Sequence, residues 1–346
     1  MSASGATTRL LRCVVTSAMA PRAPEADGQP STPFYAGTDP ISPLPYIGWM
    51  PEKGSTSPRD CGVPTMSEAD IIARTKVPAT RESLQHDLAK LGVRTGDTLL
   101  VHSSLRAMGW VCGGQVAVLQ ALLDAVGNDG TLVMPSHSTG LTDPANWSAP
   151  PVPLEWIEII RSTMPAYESA TTPTRNMGAV AEAFRTWPGV RRSSHPASSM
   201  AAWGRHAQEI VARHELSDPL GPTSPLGELH LLDAKVLLIG VDFNRCTALH
   251  LAEHIRWPDR PTREDGAPII VAGEREWVTF DVPQIMDDDE FVMVGEAALA
   301  SGVAARGGIA QARCVITRMQ QLVEFAVQHW SGRDHPASAS HRHRQT

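Results

Sequence analysis

Between Thr98 and Met134 the chain passes from a short branched apolar stretch, through a loop holding Gly109, Gly113 and Gly114, into a helical period and then a second branched stretch. The run from Thr98 to Val101 reads as a buried strand and that from Thr131 to Met134 as the next one. Between them Val116, Leu119, Leu123 and Val126 fall on one face of a helix. Strand, glycine loop, helix, strand is the pattern of an α/β domain with a parallel component.

The pattern returns later with chemistry attached. Val236 to Val241 reads as another buried strand, and Asn244 to His254 opens a helix directly after it. Thr247, His250 and Glu253 are spaced by three, so they share a stripe on which a carboxylate can orient an imidazole with a hydroxyl beside it. That is the minimum for a tuned general base. Two other readings fit the same residues. They could form only a satisfied polar network on a half-buried face. Alternatively, His250 to His254 has the form H-x-x-E-H, in which both histidines bind zinc with a distant third ligand such as Glu296.

Composition narrows the classes. A chain of 346 residues with 42% hydrophobic and 19% charged residues can bury a large core and is that of a soluble globular protein. No window of eighteen apolar residues appears, so nothing is expected to span a membrane. A formal charge of -7 argues against nucleic acid as a partner and permits a cationic small substrate. Five widely spaced cysteines without a C-x-x-C pair argue against a disulfide framework and suit a cytoplasmic location. Residues 1–66 are dense in Pro, Gly, Ser, Thr and Ala and are expected to be a disordered extension. Arg12 interrupts the apolar stretch near the start, so an export signal is not expected. An ordered domain is expected over 67–330, followed by a frayed polar tail, 331–346.

Other segments refine the outline. Thr80 with Leu84, Leu88 and Leu91 predicts a capped helix stopping at Gly92. The loop between the first strand and its helix suits phosphate, although an ordinary tight connection would look the same. Residues 136–175 are irregular, rich in Pro and Trp, with one short helix near 155–164; so long a connection is usually functional or a lid. His195 precedes Pro196 and is held extended, with Arg191 and Arg192 upstream. A helix is expected over 204–214, a hairpin about Gly273, a strand at 291–294, a turn at Gly307-Gly308, a strand over 309–315 and a last helix over 317–330.

Taken in order, His102 to Leu105 with Gly109, Gly113 and Gly114, Thr172-Pro173 with Met177-Gly178, Arg192 to Pro196 with Ser199 and Gly204, Ser224 to Leu226, and Leu237 to Val241 with Thr247 to Glu253 resemble the aminoglycoside 3-N-acetyltransferase family. The resemblance covers about Ser67 to Trp330. It implies an α/β fold of the family's own, distinct from the GNAT acetyltransferases: a central mixed sheet flanked by helices, with a smaller β-containing C-terminal part. It also implies transfer of acetyl from acetyl-coenzyme A to the 3-amino group of the 2-deoxystreptamine ring of aminoglycosides, conferring resistance, with His250, Glu253 and Thr247 catalytic and no metal required. Coenzyme contacts are expected from His102, Ser103, Ser104, Leu105, Val111, Cys112, Gly113, Gly114, Thr172, Met177, Arg192 and Ser193. A polycationic antibiotic needs carboxylates, for which Asp143, Asp218, Asp242, Glu253 and the 287–290 run are candidates, with His195 near substrate or coenzyme. A monomer or homodimer is expected. A zinc peptidase, an acetyltransferase of another amine, and a binding module without turnover remain alternatives.

Overall fold

The central strands form because their residues are apolar on both sides, which suits a sheet covered on both faces. The computed structural model describes residues 67–335 except residue 287 and, at residue 288, the side chain. The 1–66 extension and residues 336–346 lie outside the described residues.

Nine strands are described: β1 (Thr98–Ser103), β2 (Thr131–Pro135), β3 (Arg191–Arg192), β4 (Met200–Gly204), β5 (Lys235–Ile239), β6 (Thr262–Val271), β7 (Glu274–Pro283), β8 (Ala304–Ile309) and β9 (Ala312–Arg318). Seven form one sheet in the order β3-β4-β2-β1-β5-β9-β8. β1 runs parallel to β2 on one side and to β5 on the other, while β4 and β9 pair antiparallel outside them. The expected central mixed sheet flanked by helices is therefore present.

The period of two along each strand divides the core. Leu100, Val133, Val236 and Leu238 face one cluster, closed by the helices Ala248–Arg256, Asp288–Ser301 and Met319–His329. Leu99, Val101, Leu132, Leu237 and Ile239 face the other, under the helices Arg81–Lys90, Gly114–Val126 and Gly178–Arg185. The Arg81–Lys90 helix is capped by Thr80.

β6 and β7 form a separate hairpin, longer than the sequence suggested, whose turn places Ala272 and Gly273 at φ 51° and 91°. Positive φ at both central residues matches the twist of the flanking strands. Asp143 N–H donates to Asp265 Oδ1, and Arg275 Nε donates to Met164 O, so the 143–167 segment docks on this hairpin.

Three expectations are corrected. Residues 291–294 lie inside the Asp288–Ser301 helix; Phe291, Val294 and Ala298 are buried hydrophobic residues along it, a helical spacing that a four-residue window does not display. Gly307 and Gly308 belong to β8, and the turn falls at Ala310, φ 51°. A Cβ on Gly307 would stand 2.2 Å from Leu91 Cδ2, so this glycine admits a close helix rather than a turn. The 204–214 helix shortens to Ala207–Ala212, because Met200–Gly204 is taken into the sheet as β4.

Candidate active site

β1, β2 and β5 are mutually parallel, so their carboxyl ends open on one side of the sheet, the usual location of a ligand crevice in such folds. β1 delivers His102, the chain after β2 delivers His137, and the chain after β5 leads to the Ala248–Arg256 helix. β4 starts opposite the end of β2, which brings the 193–199 loop to the same side. Gly240, φ 64°, makes the turn after β5; a Cβ there would lie 2.2 Å from Ala107 Cβ, so only glycine lets the β1 and β5 loops abut.

The predicted stripe assembles. His250 Nδ1 lies 3.1 Å from Glu253 Oε2 one turn away. Glu253 is fully buried, and its Oε1 accepts the Met286 amide at 2.7 Å and His335 Nε2 at 2.8 Å. Burial alone would raise this carboxyl, but the hydrogen bonds from His250 and His335 and the charges of His250 and Arg260 hold it at about 2. A carboxylate acceptor fixes the proton on His250 Nδ1 and leaves Nε2 as the basic nitrogen. The ring sits edge-on to Phe291 at 4.8 Å and keeps 11% of its side chain exposed, enough to meet a ligand. Thr247 makes no capping bond; its Oγ1 lies 3.3 Å from His102 Nε2. Burial, and then the nearby charge of His250, push His102 down to about 3.

The remaining predicted positions divide into open and occupied groups. Ser103, Ser104 and Leu105 sit half-buried at the end of β1, and Val111 is buried beside Ala79. Cys112 and Gly113 are exposed where the Gly114–Val126 helix begins, with Gly113 and Gly114 at φ 86° and 55°. Asp242 is exposed after β5 and caps the next turn through Phe243 N. Asp218 Oδ1 lies 3.4 Å from His254 Nδ1, and its Oδ2 accepts from Thr223.

The others are turned inward and already hold internal partners. Arg192 donates to the carbonyls of Ser136, Ser169 and Thr172 and to the hydroxyls of Ser138 and Ser199, with its guanidinium over Tyr167. Ser193 is buried between Met200 N–H and His214 Nδ1. Thr172 accepts the Glu168 amide through Oγ1, and Met177 packs on the core. His195 Nδ1 accepts the amides of Ala197 and Ser198 while Nε2 donates to Leu216 O; burial pushes it to about 4. Asp143 is 3% exposed and ion-paired to Arg161 at 2.7 Å. Glu253, also expected to touch the antibiotic, has no surface with which to do so. Glu296, offered as a third zinc ligand, pairs with Arg306 at 2.7 Å, and no group of three His, Cys, Asp or Glu side chains placed to hold a metal is found among the described residues.

His137, His214 and His335 escaped the sequence reading, because none lies in a periodic pattern with a partner. His137 is pushed to about 3, first by burial and then by His102, His250, His195 and Arg192, and its Nε2 is buried without a partner.

An imidazole beside a sealed carboxylate, at the carboxyl ends of a parallel sheet core, has the parts that general acid–base chemistry requires. The family model described as Aminoglycoside 3-N-acetyltransferase matches residues 100–331, and the chain belongs to that family, which makes it a transferase. It is 46% identical over 257 residues to the SPbeta prophage-derived aminoglycoside N(3')-acetyltransferase-like protein YokD of Bacillus subtilis strain 168, covering 74% of this chain and 94% of that one. The crystal structure of YokD superposes with a TM-score of 0.74 at 44% identity, over 76% of this chain and 97% of that chain. AAC-IIIb in binary complex with CoASH superposes at 0.65 with 30% identity, over 73% and 96%, and AAC-VIa bound to sisomicin at 0.65 with 30% identity, over 74% and 98%. No described helix is long and apolar enough to cross a membrane.

Proposed function

We propose that the chain transfers acetyl from acetyl-coenzyme A to the 3-amino group of an aminoglycoside by direct attack in a ternary complex. The observation that carries this reading is the 3.1 Å contact of His250 Nδ1 with a buried Glu253 carboxylate. His250 Nε2 takes the proton from the ammonium, and the freed amine attacks the acetyl carbonyl carbon. A C–N bond forms, the C–S bond breaks, the proton held by His250 passes to the departing thiolate, and the second proton on the new amide nitrogen is released to solvent. Glu253 steadies the imidazolium while it exists. With its proton on Nε2, His102 donates to Thr247 Oγ1 and leaves the threonine hydroxyl proton for the oxyanion. The bound CoASH and sisomicin of the two superposed enzymes support these two substrates. The open positions from Ser103 to Gly114 are assigned to the coenzyme, and the exposed Asp242 to the cationic substrate.

A different amine is the second reading, favoured by the number of carboxylates that have turned inward: Asp143 and Glu253 are both consumed by internal partners. Thiol release from acetyl-coenzyme A, measured across aminoglycosides with and without a free 3-amine, tests both. Turnover confined to free 3-amines and lost in His250→Ala is expected; equal turnover without a 3-amine would replace the first reading with the second.

A further inference from the structure

We propose that His335 is a positioning residue of the catalytic pair: it holds the second oxygen of Glu253 so that the first stays on His250. This rests on the reading of His250 as the base. A glutamate carboxylate rotates in a broad well, so its orientation must come from hydrogen bonds rather than from its own torsion. Glu253 is fully buried and His335 only 2% exposed, so solvent does not supply that restraint. Two donors do: the Met286 amide at 2.7 Å and His335 Nε2 at 2.8 Å, both on Oε1, while Oε2 faces His250. Arg260 does not substitute for them. Its Nε stands 4.0 Å from Oε1 and donates to Gln284 O at 3.0 Å, and Nη1 donates to Trp257 O.

His335 reaches this place because the chain beyond the Met319–His329 helix folds back, where a frayed tail was expected from residue 331. Arg256 donates through Nε to Trp330 O and through Nη2 to Arg333 O, and Trp257 Nε1 donates to the same Arg333 carbonyl at 3.0 Å. Arg333 in turn pairs with Glu290 at 3.0 Å. The ring of His335 then stands edge-on to Trp257 at 5.1 Å. Arg256 and Trp257 end the helix that carries His250 and Glu253, so that helix anchors the segment which returns to brace it. The family match stops at residue 331, before His335.

The test compares the full-length protein with His335→Phe, which keeps a ring against Trp257 without the donor, and His335→Gln, whose amide nitrogen can reach the place of Nε2. His250→Ala is the control. Initial rates with acetyl-coenzyme A and an aminoglycoside are read beside thermal melting and the His250 Nδ1–H resonance in ¹⁵N-histidine-labelled protein. In His335→Phe, kcat should fall roughly 10- to 100-fold, the scale of a catalytic group misplaced by about 1 Å. Both KM values should stay within about two-fold, since the loss lies in the chemical step. The resonance should shift, and His335→Gln should restore both. A His335→Phe protein with unchanged kcat and an unshifted resonance overturns the proposal, as does a His335→Gln protein impaired as deeply as His335→Phe. If the parent protein shows no turnover, yet the resonance moves in His335→Phe and returns in His335→Gln, the acetyl-transfer reading falls and the positioning role stands.

Discussion

Glu253 touches His250 at 3.1 Å from a position with no solvent-accessible surface, so in the proposed mechanism the carboxylate acts on substrate only through the imidazole. Glu253→Gln isolates that role. Two N–H donors face Oε1, which obliges the amide to put its carbonyl there and its NH₂ toward His250. His250 must then accept at Nδ1 and carry its proton on Nε2, the nitrogen that should receive one. Measured kcat should drop on the order of 10³- to 10⁴-fold, as for other wrong-tautomer dyads, with melting close to the parent because volume is conserved. Near-normal kcat would remove His250 as the base.

The histidines make the fold acid-sensitive. Burial is the first cause that holds His102, His137 and His214 at about 3 and His195 at about 4, all below their ordinary 6.5. The unfolded chain takes up protons as pH falls through 6.5 while the native state refuses them, so stability is lost down to the folded values. Glu253, at about 2, adds a second loss as pH falls below its ordinary 4.5. Both losses run toward acid. Each histidine contributes roughly 2 kcal/mol of destabilisation by about pH 5, so the urea midpoint should fall steeply between about pH 7 and 5 and stay flat above. A midpoint constant over that range would contradict the neutral buried histidines.

Arg192 gives a test of inward against ligand-facing chemistry. Its fork joins the chain after β2 (Ser136, Ser138) to the 169–172 stretch and to Ser199. A lysine reaches only part of this set and cannot supply planar donors. Arg192→Lys should lower unfolding free energy by about 2–3 kcal/mol, several hydrogen bonds at once, as read by urea denaturation. KM for acetyl-coenzyme A should change little at a temperature where the variant is folded. A large, salt-sensitive rise in that KM with intact stability would restore the coenzyme contact.

Legibility followed locality. β1, β2, β5 and the Thr247–His250–Glu253 stripe were readable because each is set by a period within a dozen residues. β4 was not, since Met200–Gly204 holds two alanines and a glycine and becomes a strand through pairing with β2, from Pro135 opposite Met200 to Thr131 opposite Gly204, far upstream in sequence. The support of the dyad was hidden for the same reason: His335 stands 82 positions from Glu253, in a polar stretch without a period. Asp143 and Arg192 were legible as charged groups but not as occupied ones, because Arg161 on one side and five separate loop carbonyls and hydroxyls on the other meet them only after folding.

The two kinds of aspartate should separate cleanly. Asp143 is 3% exposed against Arg161, whereas Asp242 is exposed and uses Oδ1 only to cap Phe243 N. Asparagine at 242 keeps the cap and removes the charge, so Asp242→Asn should leave melting unchanged. A cation held near an exposed carboxylate gains about 1 kcal/mol in water, so KM for the aminoglycoside should rise roughly five-fold at low salt. The increment should shrink as salt rises past about 0.1 M, where the screening length falls to about 10 Å. Asp143→Asn leaves Arg161 without its buried counter-charge and should cost about 3 kcal/mol of stability with KM unmoved below the melting range. Initial rates at two salt concentrations, together with denaturation of both variants, check the pair; a salt-dependent KM effect in Asp143→Asn and none in Asp242→Asn would reverse the assignment of the cation-binding side.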